Sequence, residues 1–164
     1  MAHILIAYHS ETGNTEQLSR AVEQGVRSVQ GATCIRKRIS EVTMEDLQTA
    51  DGVIIGSPTY FGLMSAEVKK VFDVSEKIYG AMEGKVGAAF TSSGGYGSGH
   101  ETTNMSIITA MLISGMIVQG TTAGPCYGPF SAGKPNDEQM EQAAAMGKKT
   151  AELTQKLHQQ QPES

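Results

Sequence analysis

The chain has no tryptophan, only two cysteines and few aromatic residues of any kind, 5% in all. Cys34 and Cys126 are too few and too far apart for a disulfide framework, so two unpaired thiols in a reducing compartment are expected. No apolar run approaches the roughly 18 to 20 residues that a bilayer span requires. The start, Met1-Ala2-His3, has no charged leader, and a cytoplasmic location is expected. Charge of one sign is also scarce: 13 Lys and Arg stand against 17 Asp and Glu, for a net charge of −4. That balance argues against nucleic acid and anionic membrane as partners, and it is mild for a carrier that docks by a strongly acidic face. There are no internal repeats or linkers. A length of 164 residues suits one domain, expected over 1–158 with a polar tail at 159–164. No metal site is expected.

What is present alternates regularly. His3–Tyr8 is an apolar run of strand length, and Leu18, Val22, Val26 and Val29 then recur at helical spacing. Gly31 stops that helix. Thr33–Ile39 reads as a second strand, whose Arg36, Lys37 and Arg38 suit a solvated sheet edge. Thr43 with Asp46 forms the signature of a capping box for a short helix through Thr49. Gly52–Gly56 and Val86–Thr91 are apolar without alternation, as strands covered on both faces must be. A helix from Ser65 lies between them. Glu101–Ser114 reads as a further helix with its methionines in the core, Met116–Gly120 as a fifth strand, and Asn136 to about Leu157 as the last helix, capped by Asn136 or Asp137. Five strands alternating with helices predict an α/β doubly wound sandwich around a parallel sheet, with ligands beyond the carboxyl ends of the strands.

Three loops that leave strand ends carry unusual chemistry. The first, His9-Ser10-Glu11-Thr12-Gly13-Asn14-Thr15, is a hydroxyl-rich turn between a buried strand and a helix start, where amide groups and O–H donors can hold an anion. It has no lysine or arginine, so the phosphate it suits is one that is kept, not transferred. It lacks both GxxxxGK[ST] and GxGxxG, which disfavours a nucleoside triphosphatase or an ordinary dinucleotide site. The second loop, Ser57-Pro58-Thr59-Tyr60-Phe61-Gly62, puts two aromatics beside a glycine. The third, Ser92 to His100, puts Tyr96 among glycines and is expected to be long and very flexible. A flat aromatic ligand between such rings, with its phosphate in the first loop, fits all three. A receiver domain would need an acidic pair after the first strand, and a low-molecular-weight phosphatase a cysteine and an arginine around its first loop; neither is here.

Ser10-Glu11-Thr12-Gly13-Asn14-Thr15 resembles the FMN phosphate loop of flavodoxins. Gly56–Gly62 with Met64-Ser65, Gly84-Lys85 leading to Phe90–Gly94, Glu101-Thr102-Thr103, Gly115–Val118 and Tyr127-Gly128 resemble the WrbA-type NAD(P)H:quinone oxidoreductases. The resemblance runs from residue 3 to about 153 and implies a flavodoxin-like sheet of order 2-1-3-4-5. It implies non-covalent FMN, its phosphate held by Ser10, Glu11, Thr12, Gly13, Asn14 and Thr15. Pro58, Thr59, Tyr60, Phe61 and Gly62 would line one side of the ring, and Ser92, Ser93, Gly94, Gly95, Tyr96 and Gly97 the other. Tyr79 stands where the family commonly has a tryptophan reaching a neighbouring subunit's flavin, and Tyr127 is a second such candidate. Tyr60 replaces a usual arginine, Ser114 stands where a histidine is usual, and the segments 40–50 and 119–135 are short for the family.

Three functions follow as expectations: a quinone reductase driven by NADH or NADPH, a flavodoxin carrying electrons to a redox-protein acceptor, or a low-turnover regulatory module. A homodimer or homotetramer is compatible with the resemblance. His100, expected in the mobile third loop, is the candidate proton donor to a quinone. His3, His9 and His158 read as structural or exposed.

Overall fold

The computed structural model describes residues 1–159; of the expected tail, Gln159 closes the last helix and 160–164 lie outside the described residues. Strands β1 (Ala2–Tyr8), β2 (Ala32–Arg38), β3 (Gly52–Pro58) and β4 (Val86–Ser93) alternate with helices α1 (Asn14–Arg27), α2 (Met44–Thr49) and α3 (Ala66–Val74). Then come α4 (His100–Ile113), β5 (Ile117–Val118), β6 (Phe130–Ala132) and α5 (Asp137–Gln159). The sheet is parallel with order β2-β1-β3-β4-β5, the doubly wound arrangement expected.

The apolar strands alternate their allegiance even though they do not alternate in polarity. Leu5, Ala7, Val53, Ile55 and Ala89 enter one core with Val68, Ile107 and Met111. Ile4, Ile6, Ile54 and Phe90 enter the other with Leu18, Val22 and Ala143. Both faces are therefore covered, and each buried Leu, Ile or Phe side chain contributes about 1.5 to 3 kcal/mol relative to exposure. On the second face α1 and α5 touch through backbone. A Cβ on Gly25 would stand 1.9 Å from the Ala144 carbonyl oxygen, and one on Gly147 would stand 2.3 Å from that of Val22.

Among the described residues, edge strand β2 pairs only with β1, and its basic residues are each neutralised. Arg36 meets Glu23 at 2.7 Å, Lys37 meets Asp46 at 2.8 Å and Arg38 meets Glu16 at 2.9 Å, so the edge is charged but not free. The Thr43/Asp46 capping box forms as expected, and of the two residues expected to cap α5 it is Asn136 that does so, in a reciprocal pair with Gln139.

Several boundaries differ from expectation, β2 by one residue at each end. β3 and β4 each run two residues further, because Ser57 pairs with Thr91 and Pro58 with Ser92, and the Thr91 hydroxyl donates to the Ser57 carbonyl. The fifth strand shrinks to Ile117–Val118, beside Val86–Gly87. A short strand lies hidden in the Gly/Pro-rich connection: Phe130–Ala132 pairs with Thr91–Ser93 and completes the sheet beside the upper half of β4. No helix among the described residues is long and apolar enough to cross a membrane.

Candidate functional site

β1, β3 and β4 end side by side, so the loops that follow them are neighbours, and specific bonds join them. The His9 amide donates to the Gly56 carbonyl at 3.0 Å and the Thr59 amide to the Ser92 carbonyl at 2.7 Å. The Thr15 and Ser92 hydroxyls lie 2.7 Å apart, and those of Thr59 and Thr91 2.9 Å apart. A Cβ on Gly99 would meet the Gly62 Cα at 2.8 Å, so the second and third loops also touch through backbone. The convergence expected of the three loops is present.

The first loop is built around Ser10. Its buried hydroxyl oxygen accepts from the Gly13 and Glu16 amides at 3.1 and 3.3 Å, which leaves its own proton free. Gly13, at φ 90°, is the N-cap of α1 and carries no capping side chain, so orphan amides of the first turn open outward. No atom lies within 4 Å of where a Gly13 Cβ would be. The result is a concavity of donors at a positive helix end.

The loop itself has no basic residue, but Arg38 comes to it from β2. Its guanidinium donates to the Ser10 carbonyl at 3.3 Å and to Glu16 at 2.9 Å. The Glu16 carboxyl is held below its ordinary range by Arg20 and then Arg38, in spite of its partial burial. Sequence reasoning left Arg38 on a solvated edge. The signal that could have found it is register: strand order 2-1 sets Arg38 opposite Tyr8, the residue that precedes the loop.

In the second loop, Tyr60 and Leu63 exchange two backbone bonds of 3.1 Å around Phe61 and Gly62, at φ 52° and 76°. That is a type I′ turn, unusual in placing a phenylalanine at positive φ. It leaves Phe61 fully exposed and Tyr60 42% exposed at the crevice. Burial raises the Tyr60 phenol pKa, with Glu11 and then Glu67 adding to the effect. His9, expected to be structural or exposed, ties the first loop to the start of α3: Nδ1 lies 2.9 Å from the hydroxyl of Ser65, the N-cap of α3, and Nε2 2.9 Å from the Glu11 carboxylate. Glu67 stands 3.3 Å from Nδ1.

The third loop corrects one expectation. His100 is not a mobile loop residue: it opens α4, is 3% exposed and stacks on Phe130 with ring centroids 4.2 Å apart. Its Nε2 is hydrogen-bonded to the Ser93 hydroxyl, and burial lowers its pKa. A side chain so enclosed cannot reach out to a substrate, because β6, unseen in the sequence, supplies the ring that covers it. Tyr96, 75% exposed, stands edge-on to both rings, while no atom lies within 4 Å of a Cβ on Gly94 or Gly97.

The two tyrosines considered for contacts with another subunit lie elsewhere. Tyr79, 86% exposed, is on the connection into the amino end of β4, away from the three loops. Tyr127 lines a cavity of about 1150 Å³ beside β4, between α4, α5 and the 119–129 connection. That cavity is mostly apolar and includes none of the three loops' residues.

The profile of the NADPH-dependent FMN reductase family matches residues 33–124, more than half of the chain. A flavodoxin of Aquifex aeolicus is 39% identical over 93% of this chain and 86% of its own. An NAD(P)H dehydrogenase (quinone) of Archaeoglobus fulgidus is 35% identical over 96% of this chain and all of its own. Among solved structures, a WrbA-like flavodoxin from Agrobacterium tumefaciens superposes with a TM-score of 0.82 at 24% identity, over 95% of this chain and 99% of that one. The chain belongs to the NADPH-dependent FMN reductase family, among flavodoxin-like redox proteins that include flavodoxin and the NAD(P)H dehydrogenases (quinone).

Proposed function

We propose that the three-loop crevice holds FMN non-covalently and that the protein is an intracellular reductase passing electrons from NADH or NADPH to a quinone. The observation that carries this reading is the joining of a donor-lined helix start to two aromatic loops by the Thr15–Ser92 and Thr59–Ser92 bonds. The residues present fit the cofactor. The α1 start, whose Asn14 and Thr15 amides meet no capping side chain, with the free proton of Ser10 and the hydroxyls of Thr12 and Thr15, suits a dianionic phosphate. The open backbone at Gly94 and Gly97 and the exposed faces of Tyr60 and Tyr96 suit a flat ring.

Bound there, FMN supplies the hydride chemistry, which belongs to the cofactor. The chain's own task is to bind, orient and tune. The Asn14 and Thr15 amides would donate to the phosphate, the Gly13 amide being held by Ser10; Arg38, shared between Ser10 and Glu16, would offset charge at the same end. The type I′ turn at Phe61-Gly62 would present backbone to the ring edge, and Tyr60 and Phe61 would cover that side of a bound ring from water. The acceptor's own proton requirement is met from solvent, since His100 is enclosed.

A flavodoxin-type carrier role is favoured by one comparison, the 39% identical flavodoxin. Steady-state assay of the FMN-loaded protein separates the two. Oxidation of NADH or NADPH that requires both FMN and benzoquinone supports the reductase. Absence of nicotinamide oxidation, with a long-wavelength absorbance band on photoreduction, makes it a carrier.

A further inference from the structure

The third loop is the weakest wall one could build from composition, since Gly94, Gly95, Gly97 and Gly99 have no side chains to pack and freely adopt many backbone conformations. The structure shows what restrains it. Ser93 at its start and His100 at its end are hydrogen-bonded to one another, closing the segment into a compact loop. The Ser93 hydroxyl also reaches the Gly95 carbonyl at 2.8 Å, an acceptor only, so the single hydroxyl proton is committed there. The Ser93 oxygen must then accept from His100, which assigns the ring as the Nε2–H tautomer. The imidazole is fixed in turn by its stack on Phe130 of β6 and by Tyr96, which packs edge-on against both rings at 6.5 and 6.4 Å.

We infer that His100 is a positioning residue: its Nε2–H bond to Ser93, braced by Phe130, clamps the glycine-rich loop in the shape that receives the flavin ring. The inference rests on the flavin reading for its purpose but not for its geometry. His100 touches neither substrate nor cofactor. It acts through Ser93 and Tyr96, and β6 exists in the fold to back it: Phe130–Ala132 pairs with the last three residues of β4, where the loop departs. The clamp also explains why a histidine is placed where its charged form is disfavoured: a donor on one nitrogen and an aromatic face are both used.

The test compares wild type with His100→Phe, which keeps a ring to stack but has no donor, and His100→Gln, which returns an N–H donor towards Ser93. Two readouts are taken: the FMN dissociation rate, and the rate of chymotryptic cleavage after the exposed Tyr96 in the apoprotein. His100→Phe is expected to speed both by about tenfold, the loss of roughly one net hydrogen bond. His100→Gln is expected to stay within about threefold of wild type in both, with all three apoproteins melting within a few degrees of each other. A His100→Phe protein that cleaves and dissociates like wild type overturns the clamp, and so does a glutamine variant as impaired as the phenylalanine one. If wild type fails to bind FMN the flavin reading falls, and the cleavage rates alone then decide whether His100 restrains the loop.

Discussion

Thr15, in the first turn of α1, and Ser92, near the end of β4, are 77 residues apart in sequence and 2.7 Å apart between hydroxyl oxygens, in a buried contact. This bond couples the donor-lined helix start to the glycine-rich wall. With Ser92 donating to Thr15, the Thr15 proton remains available to an anion. Thr15→Val therefore removes both a strut and an anion donor. FMN affinity is expected to fall by at least tenfold, since a hydrogen bond to a charged acceptor is worth about 1.5 to 3 kcal/mol, while the apoprotein loses about 1 kcal/mol. Fluorescence titration and urea unfolding measure the two effects separately.

Gly99 makes the other seam. At φ 92° and with the Gly62 Cα 2.8 Å from where a Cβ would be, Gly99→Ala is strained in its own backbone and forces the second and third loops apart. A loss of about 1 to 3 kcal/mol in stability and a weakened FMN complex are expected. Gly80→Ala is the control for strain alone, because it shares a positive φ of 84° and has no neighbour to strike.

Far from the crevice, the Lys85 ammonium donates to the carbonyls of Leu47, Gln48 and Ala50 at 2.8, 2.6 and 2.6 Å, satisfying the end of α2. Lys85→Met is expected to cost about 2 kcal/mol of unfolding free energy and to leave FMN affinity unchanged. A matching loss of affinity would mean that the site is not independent of this end of the sheet.

Acid sensitivity has a direction fixed by His100. Burial lowers its folded-state pKa below the ordinary 6.5, so the unfolded chain takes up that proton first as pH falls. Stability therefore drops with acidification from about 6.5 down to the folded pKa, where the unfolded state binds more protons. Glu16, held low by Arg20, and Glu23, on which Arg27 and Arg36 outweigh burial, lose their contributions only at lower pH, beneath the ordinary 4.5. Urea unfolding of wild type and His100→Phe between pH 7 and 5 should show a flatter pH dependence in the variant. Identical slopes would mean that His100 is not shielded.

The framework was legible because it is written in local chemistry. Unbroken apolar runs at Ile4–Ala7, Val53–Ile55 and Val86–Phe90 can only be strands covered twice, and Thr43 with Asp46 announces its cap. The donor-lined turn before α1 was legible for the same reason, as a hydroxyl-rich motif contained in seven residues. What was not legible depends on partners distant in sequence. Phe130–Ala132 is too short to signal a strand and gains its identity from Thr91–Ser93. Without it, the glycines before His100 suggest mobility, whereas His100 is buried against Phe130 at the start of α4. Arg38 looked like an edge charge because its meeting with Ser10 exists only once β2 lies beside β1. The positive φ of Phe61 is likewise imposed by the turn and not announced by the residue.

The central claim is that the three loops form one site whose first loop is a phosphate cradle. The most direct test is to titrate the apoprotein with FMN and, separately, with riboflavin, which carries the same ring without the phosphate. The account predicts one FMN per chain and riboflavin binding weaker by roughly 100-fold or more, the loss of several charge-assisted hydrogen bonds at a helix start. Equal affinity for the two, or no FMN binding at all, would contradict it.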